Sequence, residues 1–312
     1  MNILDEIAAK TRERIAQEKR NVSPETMRRE AEAALRHETE AAQCREAETA
    51  LRRETEAAQR REAESILQWE LAGAQKEVSS ETGKACGVRL PFEAALAAEG
   101  ISFICEVKKA SPSKGIIAEE FPYLNIAKEY EAAGAAAISC LTEPYWFLGK
   151  DAYLQEIAAQ VNIPVLRKDF TVDEYMIYQA KALGASAVLL ICAILDDGQL
   201  KAYGQLAAEL GMSALVEAHT EEEIARALAA DARILGINNR NLKNFQVDIT
   251  QSRRLRELVP DDVLFVSESG IKTPQDVAAL RQNGTDAVLI GETLMRAPDK
   301  KVMLDMLRGN VV

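Results

Sequence analysis

Apolar and polar positions set two different rhythms along this chain. From residue 101 onward, short apolar runs recur near 101–108, 135–142, 163–169, 187–193, 213–218, 233–239, 263–268 and 286–291. Their length and near-continuous hydrophobicity predict strands buried on both faces of a parallel sheet. Between them lie stretches with helical periodicity, at 123–133, 151–160, 173–183, 196–210, 220–230, 248–258, 274–283 and 297–308. Gly134, Gly184, Gly211 and Gly284 stand where helices should stop. Eight strand-then-helix units predict an α/β fold, a closed (β/α)8 TIM barrel, rather than an open doubly wound sheet. No G-x-G-x-x-G turn follows the first strand, which argues against a dinucleotide-binding fold.

The first 88 residues follow the other rhythm. Ile3, Leu4, Ile7, Ala8 and Ile15 recur at helical spacing among charges, and Ser23-Pro24 reads as an N-cap with proline at the first helical position. RHETEAAQCREAETAL (36–51) is then followed by its near-copy RRETEAAQRREAESIL (52–67), and a partial copy REAEAAL precedes them at 29–35. These are strong helix formers, with Glu four residues from Arg or Gln in several places. A 16-residue period turns a helix by roughly 160° per repeat, so Leu35 and Leu51 fall on nearly opposite sides and no apolar seam forms. The repeat reads as a solvated, charge-laced helix or helical hairpin. A passive insertion is the bland reading; an arm for a protein partner is the functional one. Residues 73–88, rich in Gly and Ser, read as a linker. The organisation is thus 1–35 as a helical extension, 36–88 as repeat insertion and linker, and 89–312 as the barrel.

Composition narrows the function. A length of 312 residues at 47% hydrophobic supports a large core. The net charge of −11 argues against non-specific nucleic-acid binding. The start MNILDEIAAK carries no apolar signal core and no run reaches membrane-spanning length. Five scattered cysteines (Cys44, Cys86, Cys105, Cys140, Cys192) suggest free thiols in a reducing cytoplasm. His37 and His219 are far apart, which disfavours a histidine-rich metal site.

In a (β/α)8 barrel the active site is built where strands end. Those ends are polar here: Glu106 and Lys108; Arg167-Lys168-Asp169-Phe170; Glu217-Ala218-His219; Asn238-Asn239-Arg240; Ser267-Glu268-Ser269-Gly270; Gly291-Glu292. One charged strand end is commonplace. Six converging on one mouth would be expensive to bury without a ligand or a network. Lysine beside carboxylates suits proton transfer. The turns Ser269-Gly270 and Gly291-Glu292 follow the seventh and eighth strands, the usual phosphate position in such barrels, and read as entries into helices.

EVKKASPSKG, LRKDF, LVEAHT, GINNRNL, SESGI and IGETLM, in that order, closely resemble indole-3-glycerol-phosphate synthase of tryptophan biosynthesis; MNILDEI and PFEAAL also fit. The resemblance covers residues 1–30 and about 89–312. It implies a carboxy-lyase acting on the small-molecule phosphorylated substrate 1-(2-carboxyphenylamino)-1-deoxyribulose 5-phosphate. The family closes the indole ring with loss of carbon dioxide and water, and uses no metal or organic cofactor. Residue by residue, it implies Lys168 as general acid and Glu217 as base in the dehydration. Lys108 would hold the substrate carboxylate, with the two lysine roles exchangeable. Glu106 and Asn238 would orient sugar hydroxyls and lysines. Ser111, Arg240, Ser269, Gly270, Gly291 and Glu292 would lie on the phosphate and sugar side. Phe147, Phe170, Leu189 and Leu242 would form the slot for the anthranilate ring; the bland reading for these four is core. Asp169 reads as a structural partner of a cation, His219 as a neighbour of the site, and Cys105 as packing. The 36–80 region departs from the family pattern. A different phosphate-sugar barrel isomerase, or a non-catalytic interaction protein using the repeat, are the alternatives.

Overall fold

The computed structural model describes residues 3–68, 89–241 and 245–310. Residue contacts divide the chain into one unit of Met1–Glu32 with Arg89–Val312 and a second of Ala33–Val88.

In the first unit, eight parallel strands close into a barrel in sequence order: β1 (Ser102–Val107), β2 (Ala137–Leu141), β3 (Val165–Lys168), β4 (Ala187–Ile191), β5 (Ser213–Ala218), β6 (Ile234–Asn238), β7 (Leu264–Glu268) and β8 (Ala287–Ile290). Closure joins β8 to β1, with Phe103 paired to Val288 and Cys105 to Ile290. The eight apolar runs of the sequence are these eight strands. A short antiparallel ribbon, Ala110–Ser111 with Gly115–Ile116, sits in the loop after β1.

Helices α1 (Ile3–Asn21), α2 (Pro24–Gln68) and α3 (Pro91–Leu96) precede the barrel. Around it run α4 (Tyr123–Ala132), α5 (Asp151–Ala158), α6 (Glu174–Ala182), α7 (Asp197–Glu209), α8 (Glu221–Ala229), α9 (Thr250–Leu255), α10 (Pro274–Gln282), α11 (Glu292–Arg296) and α12 (Lys300–Arg308). Gly134, Gly184, Gly211 and Gly284 all take positive φ just past helix ends, as their placement in the sequence predicts. The helical run at 248–258 is split between α9 and a 3-10 turn, Arg256–Leu258.

Strand alternation sorts the side chains into two cores. Outward residues such as Phe103, Cys105, Val188, Val216 and Phe265 pack against the helix layer. Inward residues, including Ile104, Leu166, Leu189, Leu215, Ile234, Val266 and Leu289, fill the barrel, and Phe92 and Leu96 of α3 join them. Cys105 is fully buried in the outer core, with its thiol pushed up to about 12 by burial, so it packs rather than reacts.

The N-terminal helical segment is broken where Ser23-Pro24 reads as an N-cap. The chain breaks at Val22-Ser23, where Ser23 Oγ accepts from Thr26 N at 3.2 Å and Pro24 opens α2. Through the repeat, α2 is one continuous helix, not a hairpin. Residues 36–50 are exposed, and the Arg52–Glu56 pair at 3.2 Å is one of its i,i+4 contacts. The linker reading at 73–88 and Cys86 lie outside the described residues, as does Leu242. Among the described residues no helix is long and apolar enough to cross a membrane.

Candidate active site

The inward rows of the barrel continue past its apolar layers into the mouth. Ile104 is followed two residues later by Glu106, then by Lys108. Leu166 is followed by Lys168, Leu215 by Glu217, Ile234 by Gly236 and Asn238, Val266 by Glu268, and Leu289 by Gly291. Because strand side chains alternate, the residue two positions beyond an inward apolar one also faces inward. Strands β2 and β4 end instead in Leu141 and Ile191, so one side of the mouth is apolar. The cavity holds about 770 Å³ and is lined by every candidate residue named above within the described residues. Ile3, Leu4 and Ile7 of α1 also line it, so the N-terminal helix forms part of its wall.

Lys168 is the centre of the charges. Its Nζ donates to Glu268 Oε2 at 2.5 Å and to Glu217 Oε2 at 3.2 Å. Glu106 is 5% exposed and accepts from Lys108 Nζ. Burial opposes the Lys168 charge, but Glu268, Glu217 and Glu106 hold its pKa above the ordinary lysine value. The two carboxylates on Lys168 are driven apart. Burial pushes Glu268 up to about 7, with Lys168 opposing and the neighbouring Glu217 adding to the rise. Glu217 feels burial too, yet Lys168, His219 and a hydrogen bond from Asn238 bring it below the ordinary glutamate range. One site thus holds an ionised carboxylate and a protonatable one, the usual division between base and acid.

Two glycines make this crowding possible. A Cβ on Gly236 would collide with Glu268 Oε1, and one on Gly291 would collide with Glu106 Oε1 and lie 2.8 Å from Lys108 Nζ. Glu268 was not among the residues singled out from the sequence for the site. Gly236, a glycine inside an otherwise apolar strand, was the signal for a close approach there.

On the phosphate side, Asn238 Oδ1 accepts from Ser269 Oγ at 2.9 Å and from Arg240 N at 3.1 Å. Ser269 and Gly270 both have positive φ, 70° and 87°. The seventh-strand turn does not enter a helix directly: α10 starts at Pro274, behind its own cap, Thr273. Gly291 does precede a helix, the five-residue α11. Glu292 pairs with Lys114 at 3.6 Å and Arg296 at 3.2 Å, and Ser111 stands in the ribbon after β1.

On the apolar side, Phe147 and Phe170 lie 6.2 Å apart between ring centroids, and Leu189 is buried at the top of the inner core. The loop carrying Phe147 is fixed by Glu143, whose buried carboxylate accepts from the backbone N–H groups of Tyr145, Trp146 and Phe147. Asp169 turns away from the cavity chemistry. It accepts from Arg14 at 2.9 Å and Thr142 at 2.7 Å, with Arg167 at 3.7 Å.

Comparison with known proteins agrees with this architecture. The sequence model of the indole-3-glycerol phosphate synthase family matches residues 56–307. The indole-3-glycerol phosphate synthase of Ruminiclostridium cellulolyticum is 62% identical over 219 residues, covering 70% of this chain and 84% of that protein. Its namesake from Lachnoclostridium phytofermentans is 55% identical over 218 residues, covering 70% and 80%. Among solved structures, the thiamine phosphate pyrophosphorylase of Pyrococcus furiosus superposes with TM-score 0.52 at 15% identity, over 70% of this chain and 96% of that one. The KGPDC of Streptococcus mutans superposes with TM-score 0.53 at 10% identity, over 68% and 97%. Those two likenesses concern the barrel fold alone. The sequence matches carry the assignment: the chain belongs to the indole-3-glycerol phosphate synthase family.

Proposed function

We propose that this chain converts 1-(2-carboxyphenylamino)-1-deoxyribulose 5-phosphate to indole-3-glycerol phosphate, in the cytoplasm, through proton transfers centred on Lys168. The observation that carries the reading is the placement of the Lys168 ammonium between Glu217 and Glu268 at the mouth of the barrel.

The chemistry needs groups of this kind. The ring carbon bearing the carboxylate attacks the ketone carbon, a carbon–carbon bond forms, and the former carbonyl oxygen takes a proton. Lys168 is the donor in this reading, since it is charged and inward-facing. Lys108 holds the substrate carboxylate. Carbon dioxide then leaves, and its bonding pair restores the aromatic ring. In the last step Glu217, ionised beside its cations, takes a proton from the neighbouring carbon while the hydroxyl leaves as water with a proton from Lys108, the second lysine at the mouth. Glu106 orients Lys108, and Asn238 orients Glu217 and the sugar hydroxyls. Glu268 anchors Lys168.

The two sides of the cavity fit the two ends of the substrate. Phe147, Phe170 and Leu189 offer an apolar slot for the aryl ring, and Leu242 is proposed as its fourth wall. Ser111, Arg240, Ser269, Gly270 and Gly291 are proposed for the sugar and phosphate, with Glu292 aligning Lys114 and Arg296 there. Purified protein should release indole-3-glycerol phosphate and carbon dioxide one to one from this substrate. Folded protein that binds the substrate and leaves it unchanged would overturn the reading.

A further inference from the structure

His219 follows β5 two residues after Glu217, and its imidazole lies between two carboxylates. Nε2 is 3.9 Å from Glu217 Oε1, and Nδ1 is 3.7 Å from Glu223 Oε2. The Nε2 atom is shut off from solvent and has no hydrogen-bond partner. Buried ring nitrogens in that condition are uncommon.

The ring is held there from several sides. Glu223, in the first turn of α8, accepts the His219 backbone N–H at 2.6 Å, while Thr220 Oγ1 accepts the Glu223 N–H at 3.2 Å. Gln251 Nε2 donates to the His219 carbonyl at 2.9 Å. The two oxygens of Glu217 therefore face different partners: Oε2 takes Lys168, and Oε1 faces His219. The charged groups bearing on the imidazole are Glu217 from β5, Glu223 from α8 and Glu268 from β7. Cys192, next to Glu223, has a thiol that burial pushes up to about 12 and stays neutral. Burial opposes a charge on His219, but the Glu223 carboxylate 3.7 Å from Nδ1 and the carboxylates of Glu217 and Glu268 outweigh it and raise the imidazole's pKa.

We propose that His219 is a positioning residue for the base: as an imidazolium bridging Glu223 and Glu217, it keeps Glu217 ionised after Lys168 has passed its proton to the substrate. The inference rests on the reading of Glu217 as the base. Once Lys168 is neutral, Glu217 and Glu268 have lost their shared cation, and a buried carboxylate without a cation takes up a proton. The second cation on Oε1 prevents this, and reciprocity requires Glu217 to favour the charged form of His219 by as much as His219 favours the charged form of Glu217.

The chain has two histidines, so the imidazole titrations can be followed by NMR on the whole protein, with His37→Gln identifying the other signal. His219 should titrate above an ordinary histidine, and its midpoint should fall by about one unit in Glu217→Gln, the scale of one close charge. In His219→Asn the acidic limb of the kcat/KM profile should move up by about one pH unit, with the alkaline plateau nearly unchanged. His219→Gln serves as a second variant should His219→Asn fold poorly. A His219 midpoint indifferent to Glu217→Gln overturns the proposal. So does a rate loss equal at every pH, the mark of a packing role. Coupled titration in a wild-type protein that turns over no substrate would overturn the reaction reading alone and support the pairing of the two groups.

Discussion

Lys168 and Glu268 meet across the barrel mouth: Nζ of the third strand's last residue donates to Oε2 of the seventh strand's last residue at 2.5 Å. The pair is bought at a cost in stability that depends on pH. Glu268 has an ordinary value of 4.5 and is pushed by burial to about 7. Between those values the folded chain binds more protons than the unfolded one, so this group's contribution to stability falls as pH rises from 4.5 and is lowest above 7. Glu268→Gln removes the penalty. It should melt about 3 °C above wild type at pH 8, with the difference shrinking toward pH 5, while turnover drops. Thermal melts across that range check this; a variant less stable at pH 8 than at pH 5, relative to wild type, would count against it.

Gly291→Ala probes the crowding directly. Gly291 has φ of −115°, so alanine meets no backbone strain. Its methyl group would instead meet Glu106 and Lys108. We expect kcat/KM to fall about 100-fold, the scale of a small misplacement of reacting groups, with the melting temperature little changed. Steady-state kinetics beside a thermal melt separates the two effects.

The strand layout and much of the site were legible in the sequence because both follow from alternation. The eight apolar runs had the right length for buried parallel strands, and Glu106, Lys168 and Glu217 each sit two residues beyond an inward apolar residue. Glu268 was harder to read. It lies in a run, Ser267-Glu268-Ser269-Gly270, whose glycine turn drew attention to the phosphate instead, and its partner Lys168 is 100 residues away. Only closure of the barrel brings the third and seventh strands face to face. The same holds for Arg14 and Asp169, a contact 155 residues apart in sequence that no local pattern announces. The break at Ser23-Pro24 was legible from cap chemistry, whereas the choice between one helix and a hairpin in the repeat was not, since propensity and charge spacing suit both.

Arg14 ties α1 to the residue after Lys168. Asp169 is fully buried, and although burial alone would raise its pKa, Arg14 and Arg167 bring it below the ordinary value. Arg14→Ala leaves that carboxylate short of a cation and should cost about 3 kcal/mol in urea unfolding. Asp169 stabilises the fold above its ordinary pKa and loses that contribution as pH falls through its depressed folded value. The variant should therefore unfold at a higher pH on acid titration. An unchanged acid midpoint would remove the ion pair from the account of stability.

The charged repeat is expected to be dispensable for the chemistry. Residues 36–50 are exposed and the site residues all lie in the other unit. Deleting 36–67 should leave kcat/KM within about threefold of wild type, as surface changes away from a site do. A protein that fails to fold or binds substrate far more weakly would assign the repeat a role in the enzyme.

The most direct measurement is turnover of the carboxyphenylamino-deoxyribulose phosphate by wild type, Lys168→Ala and Glu217→Gln side by side, followed by indole fluorescence with carbon dioxide release. Wild type should turn over, and each variant should fall by roughly 100-fold or more while still binding substrate, the usual scale for an acid or base group. A Lys168→Ala enzyme that forms product at a rate near that of wild type would contradict the assignment of Lys168 as the proton donor.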